Sequence, residues 1–154
     1  MPKTMEKAQV TLPSDREVKV TRSFKAARSL VYRAYTEPAL VQRWLLGPPG
    51  WSMPVCEMDV RVGGSFEVSF NSDDGEYHQV GGVYREVVPN KRLVFSWAWY
   101  TTPERESLVS VTIKAEGTHT LLTLQHEQLF DEATKTGHTR GWTGSLDKLE
   151  AMFG

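Results

Sequence analysis

The chain has 154 residues, 40% of them hydrophobic and 24% charged, with a formal net charge of -1 at pH 7, which is the size and composition of one globular domain. The near-neutral charge and the lack of any basic run argue against a phosphate-binding face, so no nucleic-acid partner is expected. Cys56 is the only cysteine, which excludes an intrachain disulfide and a Cys-rich zinc site, and no apolar stretch approaches the roughly 20 residues that span a bilayer.

Met1 to Asp15 lacks the continuous apolar core of a signal peptide and reads as a flexible polar lead-in. The domain proper is expected over 16–154, in a reducing cytoplasm. Val18, Val20, Arg22 and Phe24 alternate with Lys19, Thr21 and Ser23, the period-two signature of a first strand. Arg22 stands in its apolar phase and so needs a partner or a cavity rim. A helix follows over about 27–35, with Ala27, Val31, Ala34 and Tyr35 on one face. Glu37-Pro38 restarts the chain as cap and first turn of a short second helix carrying Leu40, Val41 and Trp44 inward. Gly47-Pro48-Pro49-Gly50 cannot continue it.

From Met53 to Glu127 the pattern becomes a succession of strands. Gly63-Gly64 divides 53–62 from 65–71, and Asp74-Gly75 is a hairpin dipeptide before 76–88. Pro89-Asn90 turns into 91–99, where Leu93, Phe95, Trp97 and Trp99 share a face. Strand 107–115 follows a polar loop around Pro103, and Gly117 marks a turn in which His119 is expected to lie. Leu122, Leu124 and His126 share a phase in the last strand. Short reversals of this kind make an antiparallel meander, because parallel crossovers need more chain. The final segment returns to helical period: Asp131 is the cap, and His138, Trp142, Leu146, Leu149 and Phe153 form one stripe of a helix over 132–153. The fold class is α+β, a curved antiparallel sheet of about seven strands around a long C-terminal helix, with two short helices after the first strand.

Thr36-Glu37-Pro38 with Trp44, Asp59-Val60-Arg61-Val62-Gly63-Gly64, Gly82 to Pro89, Leu93 to Trp97, and Gly141-Trp142 with Leu146 and Leu149 together resemble the SRPBCC superfamily, the START/Bet v 1-like helix-grip fold. More closely, the chain is similar to the single-domain AHSA1-like branch, named after the C-terminal domain of the Hsp90 ATPase activator. The resemblance covers about residues 16–153 and implies the same order of elements. Glu37 departs from it, since the family more often carries Asp there. It implies at least a partial hydrophobic cavity. Its members include ligand carriers, polyketide cyclases and proteins that sequester reactive antibiotics, so the fold does not fix the function. In the eukaryotic activator a separate N-terminal domain makes much of the Hsp90 contact. This chain has no room for one, so an Hsp90-type partner is not expected.

His126 and His138 converge from sheet and helix and could carry protons near neutral pH, with Arg22 as the third candidate catalytic residue. The plainer alternative, which weighs more, is that each histidine is tethered at the core edge by a neighbouring group. Glu57 and Asp59 share a face, but the apolar phase is held by Cys56, Met58, Val60 and Val62, which points both acids and Arg61 to solvent. His78, His119, His126 and His138 offer no close-spaced pair, so no metal is expected, and no nucleotide or flavin fingerprint suggests a cofactor. Gly81-Gly82 inside a strand suggests a bulge or a close backbone approach.

The aromatic supply is the strongest positive sign. Trp97, Trp99, Phe66, Phe70, Tyr84 and Trp142, with His126 and His138, are the expected ligand-binding residues, and Trp51 ends a Gly47–Trp51 loop placed as a lid. Rings in the apolar phase, among them Phe95 and Phe153, either leave a gap for a flat ligand or pack on one another and fill it. The leading expectation is a binding domain for a hydrophobic or aromatic small molecule. The alternatives are an enzyme of polyketide cyclase or dehydratase type using the histidines, and a chaperone co-regulator or protein-interaction module. A homodimer is compatible with the sequence.

Overall fold

The computed structural model describes residues 9–14, 16–45 and 50–153. Strands β1 (Gln9–Ser14) and β2 (Glu17–Phe24) precede helices α1 (Arg28–Thr36) and α2 (Pro38–Trp44). Then come β3 (Cys56–Met58), β4 (Ser65–Asn71), β5 (Tyr77–Val88), β6 (Arg92–Trp99), β7 (Ser107–Glu116), β8 (His119–Glu127) and helix α3 (Glu132–Met152). All strands join one antiparallel sheet in the order β1-β2-β8-β7-β6-β5-β4-β3. The meander therefore runs unbroken from β3 to β8, and β2 closes against the last strand, with Val18 opposite His126 and Phe24 opposite Thr120. The seven expected strands and three helices are present, as an α+β fold.

Three boundaries and the bonding of one cap differ from the sequence reading. Gln9–Ser14, inside the stretch expected to be a lead-in, forms an edge strand with Val10 opposite Val20. Its register shifts between Thr11 and Ser14, around Pro13, which has no N–H to donate. The strand expected over 53–62 is confined to Cys56–Met58. Beyond it the chain turns tightly: Gly64 N–H reaches the Arg61 carbonyl at 2.8 Å, and a Cβ on Gly64 would lie 2.0 Å from the Asp59 carbonyl oxygen. His119 opens β8 opposite Glu116 instead of lying in the turn. Glu37 is the N-cap of α2 by position, with extended backbone, but its carboxylate pairs with Arg33 at 2.6 Å and makes no capping bond. The Gly47–Pro49 part of the expected lid, and residues 1–8 of the lead-in, lie outside the described residues.

Period-two burial drives the sheet face that meets the helices. Val18, Val20, Arg22 and Phe24 of β2, and Leu122, Leu124 and His126 of β8, are all buried. Gly82 is required where β5 passes β6, since a Cβ there would sit 1.9 Å from the Ser96 carbonyl oxygen. The expectation of a close backbone approach at Gly81-Gly82 is met at this contact. Among the short helices, Trp44 donates from Nε1 to the Ala34 carbonyl at 2.8 Å, and its ring lies 4.7 Å from that of Tyr35. That bond joins α1 to α2. No helix among the described residues is long and apolar enough to cross a membrane.

Helix α3 begins at Asp131, whose carboxylate accepts from the Thr134 N–H at 2.8 Å. Its stripe is seated as read: Trp142, Leu146 and Leu149 are buried, and His138 and Phe153 are half-buried. The helix crosses the sheet obliquely. His138 meets Trp99 on β6, Trp142 meets His126 on β8, and Phe153 packs edge-on against Phe24 on β2 at 5.8 Å. Near its C-terminal end the buried Arg22 guanidinium reaches up from β2 to both Asp147 and Glu150.

That clamp is asymmetric, because Arg22 is 6% exposed while Asp147 is 67% exposed. Removing the acids strands a buried charge, whereas removing the arginine leaves acids that water can solvate. The double variant Asp147→Asn, Glu150→Gln should therefore lose about 3 kcal/mol in urea denaturation. Arg22→Met should lose about 1 kcal/mol or less, since an apolar residue of similar length fills the same space.

Candidate functional site

The two expected histidines do meet. Their ring centroids are 4.7 Å apart at an interplanar angle of 79°. His126 is completely buried, and both ring nitrogens are engaged: Trp142 donates from Nε1 to His126 Nδ1 at 3.0 Å, and Nε2 lies 2.7 Å from Ser107 Oγ. Because Nδ1 accepts, the proton sits on Nε2 and is donated to Ser107, which in turn donates to the Trp97 carbonyl at 3.1 Å. His138 carries the opposite tautomer. Its Nδ1 donates to the Thr134 carbonyl at 2.8 Å, and Nε2 accepts from Trp99 Nε1 at 3.2 Å.

Burial pushes the His126 pKa well below its ordinary value, and the neighbouring His138 adds to that shift. Burial also lowers His138, against the opposing effect of its bond to Thr134. Both imidazoles are thus neutral, and each commits its lone pair to an indole N–H. The Ser107–His126 contact runs in the wrong direction to activate a nucleophile, since the imidazole is the donor and the hydroxyl proton points to a backbone carbonyl.

Beside this lattice lies a pocket of about 710 Å³ between the N-terminal half of α3 and the β5–β6 end of the sheet. Its walls are Trp97, Trp99 and Phe70 on the sheet side and His138 and Trp142 on the helix side. Trp51 closes one flank, stacked on His78 at 5.7 Å and 16°. The rings contact one another edge-on or tilted, as Trp97 does with Trp99 at 5.7 Å and with Trp142 at 5.2 Å. Among the described residues no Lys, Arg, Asp or Glu lines the pocket.

Six of the nine expected ligand-binding residues border this pocket: Trp51, Phe70, Trp97, Trp99, His138 and Trp142. Phe66 and Tyr84 do not; they pack with Phe95 and border a second, inner cavity of about 40 Å³. His126 borders neither, lying behind Trp97 and Trp142. Arg22 is not part of the histidine group: Val18, not Arg22, stands opposite His126, and four residues of strand put Arg22 roughly 13 Å away. Glu57 is exposed, and Asp59 holds Arg61 in a surface pair at 2.9 Å. Burial raises the Cys56 thiol to about 11, which keeps it protonated and unreactive. Among the described residues no three His, Cys, Asp or Glu side chains converge on a metal position.

Several contributors escaped the sequence reading. Ser107 stands in phase with Val109, Val111 and Ile113, so a serine in an inward phase was the available signal. Gly137 and Gly141, four residues apart, present bare backbone of α3 to the pocket. Their signal was glycine in a helix interior with no capping role. Tyr100 and Thr102 border the pocket from the loop after β6, where periodicity says nothing.

The family model described as Activator of Hsp90 ATPase homolog 1-like protein matches residues 25–154. Among solved structures, the chain is similar to protein CV1439 from Chromobacterium violaceum at 26% identity, covering 91% of this chain and 98% of that one, with a TM-score of 0.83. It is similar to the AHSA1 protein from Silicibacter pomeroyi at 26% identity, over 88% of this chain and 96% of that one, with a TM-score of 0.77. CalU16 from Micromonospora echinospora is 26% identical over 96% of this chain and 82% of its own, with a TM-score of 0.66. No curated protein matches the sequence.

Buried neutral histidines give stability a pH dependence of defined sign. In the unfolded chain an imidazole titrates near about 6.5, whereas the folded protein holds both neutral to lower pH and so binds fewer protons. Stability should be full above about pH 6.5 and fall as the pH drops below it. Urea midpoints at pH 7.5 and 5.0 measure this. Nitrogen-15 spectra should show His126 protonated on Nε2 and His138 on Nδ1 at pH 6; an imidazolium at His126 would contradict the assignment.

Proposed function

We propose, on the premise that the chain belongs to the family of Activator of Hsp90 ATPase homolog 1-like proteins, that it binds a neutral, flat aromatic small molecule without turning it over. The observation that carries this is the pocket of about 710 Å³, which falls in the usual ligand range of about 300–1,000 Å³. Indole and phenyl faces suit stacking with a flat ring, and a described lining without Lys, Arg, Asp or Glu favours a ligand that carries no charge, since a buried unpaired charge is costly.

The helix glycines support the same reading. A Cβ added at Gly137 or Gly141 would meet nothing within 4 Å, so nothing in the fold forbids alanine there. Glycine in an exposed helix interior costs about 1 kcal/mol relative to alanine. Stability is thus forgone where α3 faces the pocket, which is expected if the space itself has a use. Gly144 also has open space above it but does not border the pocket, and nothing in the structure explains it.

A cyclase- or dehydratase-type reaction through His126 and His138 would require the indole bond to one of them to break first, because neither ring has a free lone pair. Arg22 is held by Asp147 and Glu150 at the far end of the helix. The protein-interaction reading rests on the family description alone. Binding without turnover is the better supported of the three.

Quenching of tryptophan emission by 2-acetylnaphthalene and a panel of similar neutral aromatics tests the proposal. Saturable quenching is expected in the wild type and loss of it in Gly141→Leu, whose side chain occupies the pocket. Gly137→Ala and Gly141→Ala should each gain about 1 kcal/mol in stability and bind more weakly. A folded Gly141→Leu that binds the panel as well as wild type would sink the proposal.

A further inference from the structure

Two side chains of the pocket wall are joined by a bond that only an uncharged imidazole can accept. Trp99 and His138 both line the pocket, and Trp99 donates from Nε1 to His138 Nε2 at 3.2 Å. His138 Nδ1 already carries the proton that it donates to the Thr134 carbonyl at 2.8 Å. A second proton can therefore enter only at Nε2. An imidazolium has N–H groups on both nitrogens and no lone pair. Protonation would set the Nε2–H against the indole N–H, so the Trp99 bond is lost and one of the two rings must shift. Either shift changes the wall.

The surroundings of His138 offer a positive charge no compensation. Strand β6 presents the rings of Trp97 and Trp99 at 6.4 and 6.1 Å, and β8 presents His126 at 4.7 Å. His126 is a second imidazole, so a charge on either ring opposes a charge on the other. On α3 itself the ionisable neighbour one turn earlier is Lys135, another cation. His78 of β5 reaches Trp99 edge-on at 6.2 Å and has its own acid, Glu76, at 3.2 Å. Among the described residues no Asp or Glu lines the pocket. Burial already holds His138 below its ordinary pKa, opposed by its bond to Thr134. A neutral ligand seated against the half-buried ring removes water from it and makes the charged form costlier still.

We propose that His138 is a proton switch for ligand release: its neutral ring completes the wall that holds the ligand, and acid breaks the Trp99–His138 bond and frees the ligand. The switch rests on the pocket reading above and adds a mode of regulation to it. By reciprocity a bound ligand keeps His138 neutral to lower pH. His126 is not the trigger, because it lies behind Trp97 and Trp142 and borders neither cavity. The coupling acts within the folded protein, apart from the loss of global stability in acid.

The probe is 2-acetylnaphthalene, which has no group that titrates in mild acid, so any change in its affinity with pH belongs to the protein. Its Kd should be level above about pH 6.5 and rise about fivefold by about pH 5. Near-ultraviolet circular dichroism establishes that the fold is intact at each pH compared. Nitrogen-15 spectra give the reciprocal readout without a variant: saturating probe should move the His138 titration to lower pH. His138→Gln keeps an acceptor for Trp99 and does not titrate, so its Kd should stay level in acid. Trp99→Phe removes the indole donor, and His138 should then titrate at higher pH. His78→Gln, at the other histidine in the described lining, should retain the rise in acid. If the probe binds at pH 7.5 but leaves the His138 titration where it was, or if His138→Gln keeps the wild-type dependence, the switch is overturned while the pocket stands. If the probe binds at no pH, the pocket reading itself fails, and the switch with it.

Discussion

A single chain of hydrogen bonds across the core determines how α3 sits on the sheet. Trp142 donates to His126, His126 to Ser107, and Ser107 to the Trp97 carbonyl. An apolar stripe alone holds a helix against a sheet but tolerates rotation about its axis and sliding along it. A buried donor–acceptor chain does not, because any slip leaves polar groups unpaired where water cannot reach them. Once Trp142 is pinned to β8, His138 one turn earlier falls beside Trp99, and Arg22 lies within reach of Asp147 and Glu150 near the other end. The pocket is a consequence of that placement. It is the wedge left where the N-terminal half of α3 passes over the ends of β5 and β6.

The same chain decides the chemistry of the wedge. By using both nitrogens of His126 and both of His138, the core converts two titratable groups into fixed neutral ones. Burial reinforces this by depressing both pKa values. Among the described residues the walls then offer stacking faces, a few hydroxyl groups and the exposed His78, with no Lys, Arg, Asp or Glu to neutralise a charged ligand. A cavity of this kind discriminates by shape and by hydrogen-bond donors.

Much of this was legible in the sequence, for reasons that differ by element. Period-two alternation in 18–24 and 120–126 and the spacing of Trp142, Leu146 and Leu149 follow from one buried face each, so strands, helix and inward residues could be read directly. The inward placement of His126 and His138 was legible on the same ground. What each bonds was not, because it depends on register across strands. Ser107 reaches His126 only because Val109 stands opposite it, which puts the serine on the diagonal. Arg22 announced a need for a partner through its phase, but the partner lies 125 residues away on α3. The division between Phe66 and Tyr84, which border only the inner cavity, and Trp97 and Trp99, which also or instead face the large pocket, depends on close packing that no periodic pattern encodes. β1 pairs with β2 as a local hairpin, with Ser14 opposite Glu17, and Pro13 within it weakens the strand signal.

The wedge between α3 and β6 is where a small aromatic ligand is proposed to go. Backbone amide shifts recorded during titration with 2-acetylnaphthalene test this most directly. Movement concentrated in residues 97–102 and 134–145, with 10–21 and 112–120 unchanged, is the predicted result. Saturable binding that moves other regions and leaves α3 and the end of β6 still would contradict it.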